Sequence, residues 1–336
     1  MLQLLGQLRI YPIFTAHPAE SARRTILRKQ KNIAGLMFDR LDPVLTANES
    51  RSVWGQIRSE FTTGWQTEDH PRERLTVADE REHVVFYLIE VLYQILPVFY
   101  DEIAQALELL YGVQAESLEL PTIIRFGTWV GGDMDGNADV HSKTIRETLA
   151  RQQRVIVNAY HEECTQLAQK LSQSASRVGI APELQKRIDH YTVLLPGARS
   201  STPTRHDRMP YRVFLGQIAG RLKLTFDQDP NGYDSAQSLR RDVQLIVDSL
   251  KANRGWNSGC FAVQRLLRRI DTFGFHLATL DVRQQSSVHH QVIAQGLGDP
   301  LWMQRTADER HALLSEAIVR DRGPRAEFDA LGKRSL

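Results

Sequence analysis

The sequence holds little cysteine: only Cys164 and Cys260, far apart and without a CxxC spacing. That excludes a disulfide framework and fits a reducing, cytoplasmic setting. It also lacks an excess of either charge. Lys and Arg total 42 against 40 Asp and Glu, a formal net charge of +2, too even for whole-chain nucleic-acid binding. No clean apolar run is present, and a membrane span needs about 20 such residues. The most apolar window, residues 84–100, is interrupted by Glu90, Gln94 and Pro97 and reads as a core helix. The first residues, Met1 to Arg9, carry no basic segment and no small-residue cleavage site, so no signal peptide is expected. Walker, GxGxxG, GxSxG, HExxH and zinc-spaced Cys/His patterns are all missing, which removes their chemistries. The remainder is ordinary: 336 residues, 42% hydrophobic and 24% charged. That is enough chain for two domains or one large one, with a core that needs no staple.

Most of the chain carries helical periodicity. From Pro18 onward Ile26, Ile33, Met37 and Leu41 recur at helical spacing, with Arg23, Arg24, Arg28, Lys29 and Lys31 alongside. Thr76 with Asp79 reads as a capping-box start. The stripe behind it runs through Val84, Leu88, Leu92, Leu96, Phe99, Ile103 and Leu107 to a stop at Gly112, with a kink expected at Pro97. Further helices are expected over 144–171, 182–194, 211–226, 236–253 and 261–270. Residues 196–210 read as a loop, and the polar tail from Arg320 as a fraying end. Three strand candidates, 9–15, 122–130 and 273–282, are rich in β-branched and aromatic residues. The fold class is therefore mainly α with a few β-strands.

Each strand candidate ends in a polar cluster, and parallel α/β architectures gather chemistry at the carboxyl ends of strands. Three strands cannot close a barrel, so further strands are expected elsewhere. His17 sits at a strand-to-helix junction, followed by Pro18, Glu20 and Arg24. It reads either as a proton-transfer or charge-stabilising group in an anion site, or as a helix-start residue beside solvated arginines. The run from Gly127 to Asn137 offers paired glycines and the acids Asp133 and Asp135. It reads either as an anion or metal-water site or as a tight turn with Asx capping. It fails as a calcium loop, since Ala138 and Thr144 stand where glycine and glutamate are needed. Arg283 comes after the third strand, with Asp281 on the same face of an extended chain. The pair reads either as a phosphate or carboxylate fork held by its neighbour, or as a structural ion pair. His289 and His290 read as solvated helix residues. Arg28 to Lys31 reads as a solvated helix face, not a nucleic-acid site.

Five ordered segments resemble one family, the phosphoenolpyruvate carboxylases. They are Phe14–Glu20 with Arg23 and Arg24, Trp65–Glu68, Trp129–Asn137, Pro210–Arg212 with Leu215, and Leu280–Ser286. Ala19 and Met134 depart from the family pattern, where Thr and Arg stand. The resemblance implies part of a helix-rich α/β-barrel fold. Residues 1–336 would form a partial domain carrying early barrel strands, with no separate second domain. It implies a lyase that joins phosphoenolpyruvate to bicarbonate, giving oxaloacetate and phosphate by way of carboxyphosphate and pyruvate enolate. His17 would be the catalytic histidine. Arg283 would bind substrate phosphate, with Arg24, Asp133 and Asp281 in the substrate site, and Arg23 and Arg24 would form an effector pair. Mg²⁺ or Mn²⁺ is implied, with its ligands outside this chain, and none of these residues is taken as a metal ligand. The family is a soluble cytoplasmic homotetramer that engages neither nucleic acid nor membrane. Its glycine loop, metal carboxylates and second catalytic histidine are not found here, so the chain alone is expected to be inactive. The alternative is a truncated, non-catalytic protein that binds an anionic phosphometabolite.

Overall fold

The computed structural model describes residues 2–15, 24–68, 76–114, 118–135, 137, 139–195, 208–320 and 328–329. Helices dominate and strands are few. The chain divides into two compact units, Thr15–Phe86 and Met1–Phe14 with Tyr87–Leu336. The larger unit opens with α1 (Leu2–Gln7) and β1 (Ile13–Phe14).

The smaller unit holds α2 (Arg24–Asp39), α3 (Ala47–Trp65) and α4 (Val77–Phe86). Lys29 ties α2 to α3, its Nζ donating to Glu60 Oε2 at 3.0 Å and Thr63 Oγ1 at 2.7 Å. Arg40 stacks 4.3 Å from the Trp54 ring centroid. The capping box expected at Thr76 forms: its backbone N and Oγ1 both donate to Asp79 Oδ2, and Asp79 N donates back to Thr76 Oγ1. Those bonds hold the Asp79 carboxyl below its usual range. Helix α3, which was not among the expected helices, starts from an equivalent box made by Thr46 and Glu49.

In the larger unit a π-helical turn over Tyr87–Leu92 leads into α5 (Tyr93–Tyr111). Pro97, where a kink was expected, lies inside α5, one turn beyond the π-helical segment. A proline has no N–H, so the carbonyl four residues earlier loses its helical partner. That carbonyl belongs to Tyr93, and Arg269 Nε donates to it at 2.8 Å. Gly112 ends α5 in the left-handed region, at φ 68°, as glycine does at low cost. The helical run Val77–Tyr111 is, by length and composition alone, apolar enough to cross a membrane. The three polar interruptions do not remove it from that class, although 44% of its most apolar stretch is buried inside the protein.

Next come α6 (Ser142–Lys170), α7 (Pro182–Leu194), α8 (Pro210–Phe226), α9 (Ala236–Ala252) and α10 (Phe261–Phe273). All five were expected, and each end falls within a helical turn of its expected place. Their apolar faces meet around Ile156, Phe214, Leu215, Val243, Ile246 and Leu266, all fully buried, and this burial supplies most of their stability. Helices α11 (Ser286–Leu297) and α12 (Ala307–Val319) complete the unit.

Strands β1, β2 (Gly127–Thr128) and β3 (Thr279–Leu280) pair in parallel in the order β1-β2-β3. Ile13 stands opposite Gly127, and Gly127 opposite Thr279. The three regions are those expected, but the ladders are much shorter. Isolated parallel bridges, Ile10 to Ile124 and Asp133 to Arg283, extend the pairing at either end. The front of the third candidate is not strand at all: α10 runs through Phe273, and the chain then turns with Gly274 and Leu277 at positive φ. Among the described residues these strands form an open sheet, not a closed barrel.

Candidate functional site

The site lies where β2 and β3 end, and helix α6 sets its geometry. Leu277, just before β3, sits at φ 61°, a strained conformation for a branched residue. Five hydrogen bonds from three residues hold the turn there. Leu277 N donates to Phe273 O at 2.8 Å. Tyr160 Oη on α6 donates to the carbonyls of Arg269 and Gly274. The buried Gln152 amide, oriented to satisfy its neighbours, donates to the carbonyls of His276 and Ala278, both at 3.1 Å. Burial, then the nearby Arg125, keeps the His276 imidazole below its usual range. The turn is thus fixed before the strand begins, and β3 in turn aims residues 281–283.

Beyond the strand ends the side chains form a cross-strand cluster. Arg283 N donates to Gly132 O at 3.0 Å, and Met134 N to Arg283 O at 2.8 Å. These backbone bonds place the Arg283 side chain beside β2's continuation. Its Nη1 donates to Asp133 Oδ2 at 3.3 Å, and its guanidinium lies 4.4 Å from the Trp129 ring centroid. Trp129 Nε1 donates in turn to Asp281 Oδ2 at 3.2 Å. An ion pair this exposed adds little stability. It positions a flat cation instead. Guanidinium carries five N–H donors, and among the described residues only one is used.

The two glycines have packing reasons. Gly131 has φ 82°, and a Cβ there would overlap Thr148 Oγ1; a Cβ on Gly132 would overlap the Asp281 carbonyl. Both allow close approach of backbone and helix. In β2, a Cβ on Gly127 would stand 2.7 Å from Tyr11 Oη.

Asp133, Asp281 and Arg283 therefore converge, but not as their spacing implied. Asp281 does not hold Arg283; it takes the Trp129 indole, and Asp133 from the neighbouring strand takes the arginine. Register across strands decides this, and intrastrand spacing cannot show it. The acidic run forms Asx turns, with Asp133 Oδ1 accepting from Asp135 N and Asn137 Oδ1 from Asp139 N. Met134 is buried. His17 and Arg23 lie outside the described residues, and so does the side chain of Arg24, which opens α2. His290 is packed, not solvated: its Nδ1 accepts from Trp302 Nε1 at 3.1 Å, and Arg310 lies alongside. Sequence reasoning gave Trp129, Gln152 and Tyr160 no individual role. Only the tryptophan's place in a family-like segment singled it out.

The divalent ion that the resemblance implies finds no fit among the described residues. No three His, Cys, Asp or Glu side chains converge, and the acids nearest Arg283 are engaged in turns and hydrogen bonds.

Comparison with known proteins places nearly the whole chain in one family. A model of the phosphoenolpyruvate carboxylase family matches residues 1–325. The phosphoenolpyruvate carboxylase of Xanthomonas oryzae pv. oryzae is 44% identical over 98% of this chain and 37% of that protein. The one from Xanthomonas euvesicatoria pv. vesicatoria is 45% identical over 93% of this chain and 34% of that protein. The Ralstonia nicotianae enzyme is 33% identical over 91% of this chain and 32% of that protein. The chain thus spans about a third of the length of these curated relatives.

Proposed function

The chain belongs to the phosphoenolpyruvate carboxylase family, and from that premise we propose that it supplies one wall of a site that carboxylates phosphoenolpyruvate. The carrying observation is Arg283, stacked on Trp129 and tethered by Asp133, with further N–H donors open at the strand ends. Phosphoryl transfer is mainly positioning and charge stabilisation. A stacked guanidinium suits both, since its planar fork matches phosphate oxygens.

In this reading Arg283 binds the substrate phosphate, Asp133 and Trp129 orient it, and Asp281 orients the tryptophan. A bicarbonate oxygen attacks phosphorus, the bond from phosphorus to the enol oxygen breaks, and carboxyphosphate and pyruvate enolate form. Carboxyphosphate releases CO₂ and phosphate. The enolate carbon attacks CO₂ and forms the new carbon–carbon bond of oxaloacetate. His17 assists the carboxyphosphate step as a proton carrier, and Arg24 adds positive charge. Arg23 and Arg24 form an anion-responsive pair. The three parallel strands are early strands of a barrel that the rest of the enzyme closes. A homotetramer in the cytoplasm, acting with Mg²⁺ or Mn²⁺ held by residues elsewhere, completes the reading.

A hybrid enzyme tests it. Residues 1–325 would replace the matching stretch of the Xanthomonas oryzae enzyme, and oxaloacetate would be followed through coupled NADH oxidation. The hybrid is expected to turn over and His17→Ala to abolish turnover, whereas the isolated chain gives none. A folded, tetrameric hybrid without activity would overturn the proposal.

A further inference from the structure

A second cluster lies between α7, α8 and the start of α9, built around a carboxylate that no part of the strand-end site uses. Asp242 is completely buried, which requires compensation. Its Oδ2 accepts from Tyr191 Oη at 2.5 Å and Tyr233 Oη at 2.7 Å. Burial raises both phenols above their ordinary range, so they stay protonated donors. Arg187 Nη1 stands 3.1 Å from Oδ1 as an ion pair. Arg221 Nη1 donates to Tyr191 Oη at 2.5 Å, and its other nitrogens donate to the Asn231 and Gly232 carbonyls. Arg221 thus uses three of its five N–H donors, and its Nη1 stands 3.9 Å from Asp242 Oδ2 as a second ion pair.

That leaves a surplus of positive charge facing a concavity of about 370 Å³ lined by Arg187, Arg221, Arg241, His190, Asp234 and Ser238. Arg241 Nη2 donates to Ser238 Oγ at 2.8 Å and has no carboxylate partner among the described residues. Asp234 is tied to the Ser235 and Ser238 hydroxyls. Arg187 has 39% of its side chain exposed while its inner edge holds Asp242. Three guanidiniums therefore face two carboxylates, Asp234 held by two serines and Asp242 by two tyrosines at Oδ2, while Asp242 Oδ1 meets Arg187 as an ion pair without a hydrogen bond, in a hollow at the small end of ligand-pocket sizes. The positive end of α9 opens at the same place, through Ser235 and Ser238.

We propose that this hollow binds a small dianionic oxyanion, the phosphate group of a phosphorylated metabolite, between Arg187 and Arg241. The buried Asp242, held by its two tyrosines, draws the Arg187 guanidinium to the rim of the hollow by charge. Such preorganisation reduces the entropy lost on binding. The proposal stands apart from the reading of the strand-end cluster.

Inorganic phosphate is the probe, titrated calorimetrically into the 336-residue chain at low ionic strength, with acetate as the monoanionic control. Wild type is expected to show saturable phosphate binding and none for acetate. Among the described residues the Arg241 side chain hydrogen-bonds only to Ser238, so Arg241→Gln leaves the Asp242 bonds in place, and it is expected to weaken phosphate binding at least about tenfold, as losing one charge-assisted contact does. Arg187→Gln is expected to act likewise. Arg283→Gln is expected to leave the Arg241-dependent part of the isotherm unchanged, which separates the hollow from any phosphate held at the strand ends. Absence of saturable phosphate binding, equal binding of acetate, or an Arg241→Gln protein that melts and binds phosphate as wild type does would each overturn the proposal.

Discussion

Replacing Arg269 by methionine is the most informative perturbation of the scaffold. Its guanidinium does three things among buried groups. Nη1 donates to Glu163 Oε1 at 2.5 Å, Nε donates to the Tyr93 carbonyl freed by Pro97, and the plane stacks 4.6 Å from the Tyr93 ring centroid. The arginine and glutamate side chains are only 12% and 16% exposed, so solvent cannot replace these contacts. Breaking one side of a buried pair costs about 3–5 kcal/mol, because the other charge is left uncompensated. Methionine keeps the aliphatic packing, so little of that loss comes from a cavity. Urea unfolding monitored by circular dichroism measures it. The loss should also depend on pH in a definite direction. Burial raises the Glu163 pKa, and Arg269 and Tyr93 oppose the rise. Without Arg269 it climbs further. A carboxylate whose folded pKa exceeds its unfolded value binds more protons when folded, so its contribution falls as pH rises through the interval between them. The variant's deficit should therefore shrink toward about pH 4–5, where the unfolded carboxylate also protonates, and widen toward neutrality. Glu163→Gln keeps an acceptor for Tyr93 Oη, and combined with Arg269→Met it should recover about 1–3 kcal/mol relative to the sum of the singles. A loss below about 1 kcal/mol, the range of exposed pairs, or one independent of pH, would refute the reasoning.

Single contacts carry further expectations. Gly132→Ala should cost about 1–3 kcal/mol by overpacking, because its Cβ would overlap the Asp281 carbonyl; a melt unchanged from wild type would show that β2 and β3 are not so close. Thr46→Ala removes half of the α3 capping box and should cost about 0.5–2 kcal/mol, seen as faster amide exchange in the first turn of α3 and not in α9. Both cysteines are free and buried, and burial pushes both thiols up. Ellman's reagent should therefore label neither in the native chain and both after unfolding; rapid native labelling would contradict that burial.

Elements that announce their own ends were legible in the sequence. Pro182 at the first position of α7, the Thr76–Asp79 box and the left-handed Gly112 each act locally and stand where the sequence placed them. Helices α3 and α12 carried the same kind of signal, Thr46 with Glu49 and Thr306 with Glu309. Both were missed although Trp54, Ile57, Phe61 and Trp65 recur at helical spacing in α3, and Leu314 and Ile318 in α12; in the fold α3 buries only Ile57 and α12 no residue. Strand regions were legible but strand lengths were not, since a ladder ends where the neighbour departs. Leu277's positive φ, which ends β3's pairing on one side, belongs to contacts from Tyr160 and Gln152, over a hundred residues away in sequence. The site shows the same divide. The residue types Asp133, Asp281 and Arg283 were visible, whereas the exchange of partners across the strands was not. Nor could spacing show Asp242 as a buried carboxylate, since its two tyrosine donors come from separate segments.

The central claim is that Arg283 binds the phosphate of phosphoenolpyruvate, and steady-state kinetics of Arg283→Gln in the hybrid enzyme tests it most directly. Losing a charge-assisted bond worth about 1.5–3 kcal/mol should lower kcat/KM for phosphoenolpyruvate by roughly 10- to 150-fold, with the KM for bicarbonate little changed. A folded variant whose kcat/KM for phosphoenolpyruvate matches the parent would contradict the account.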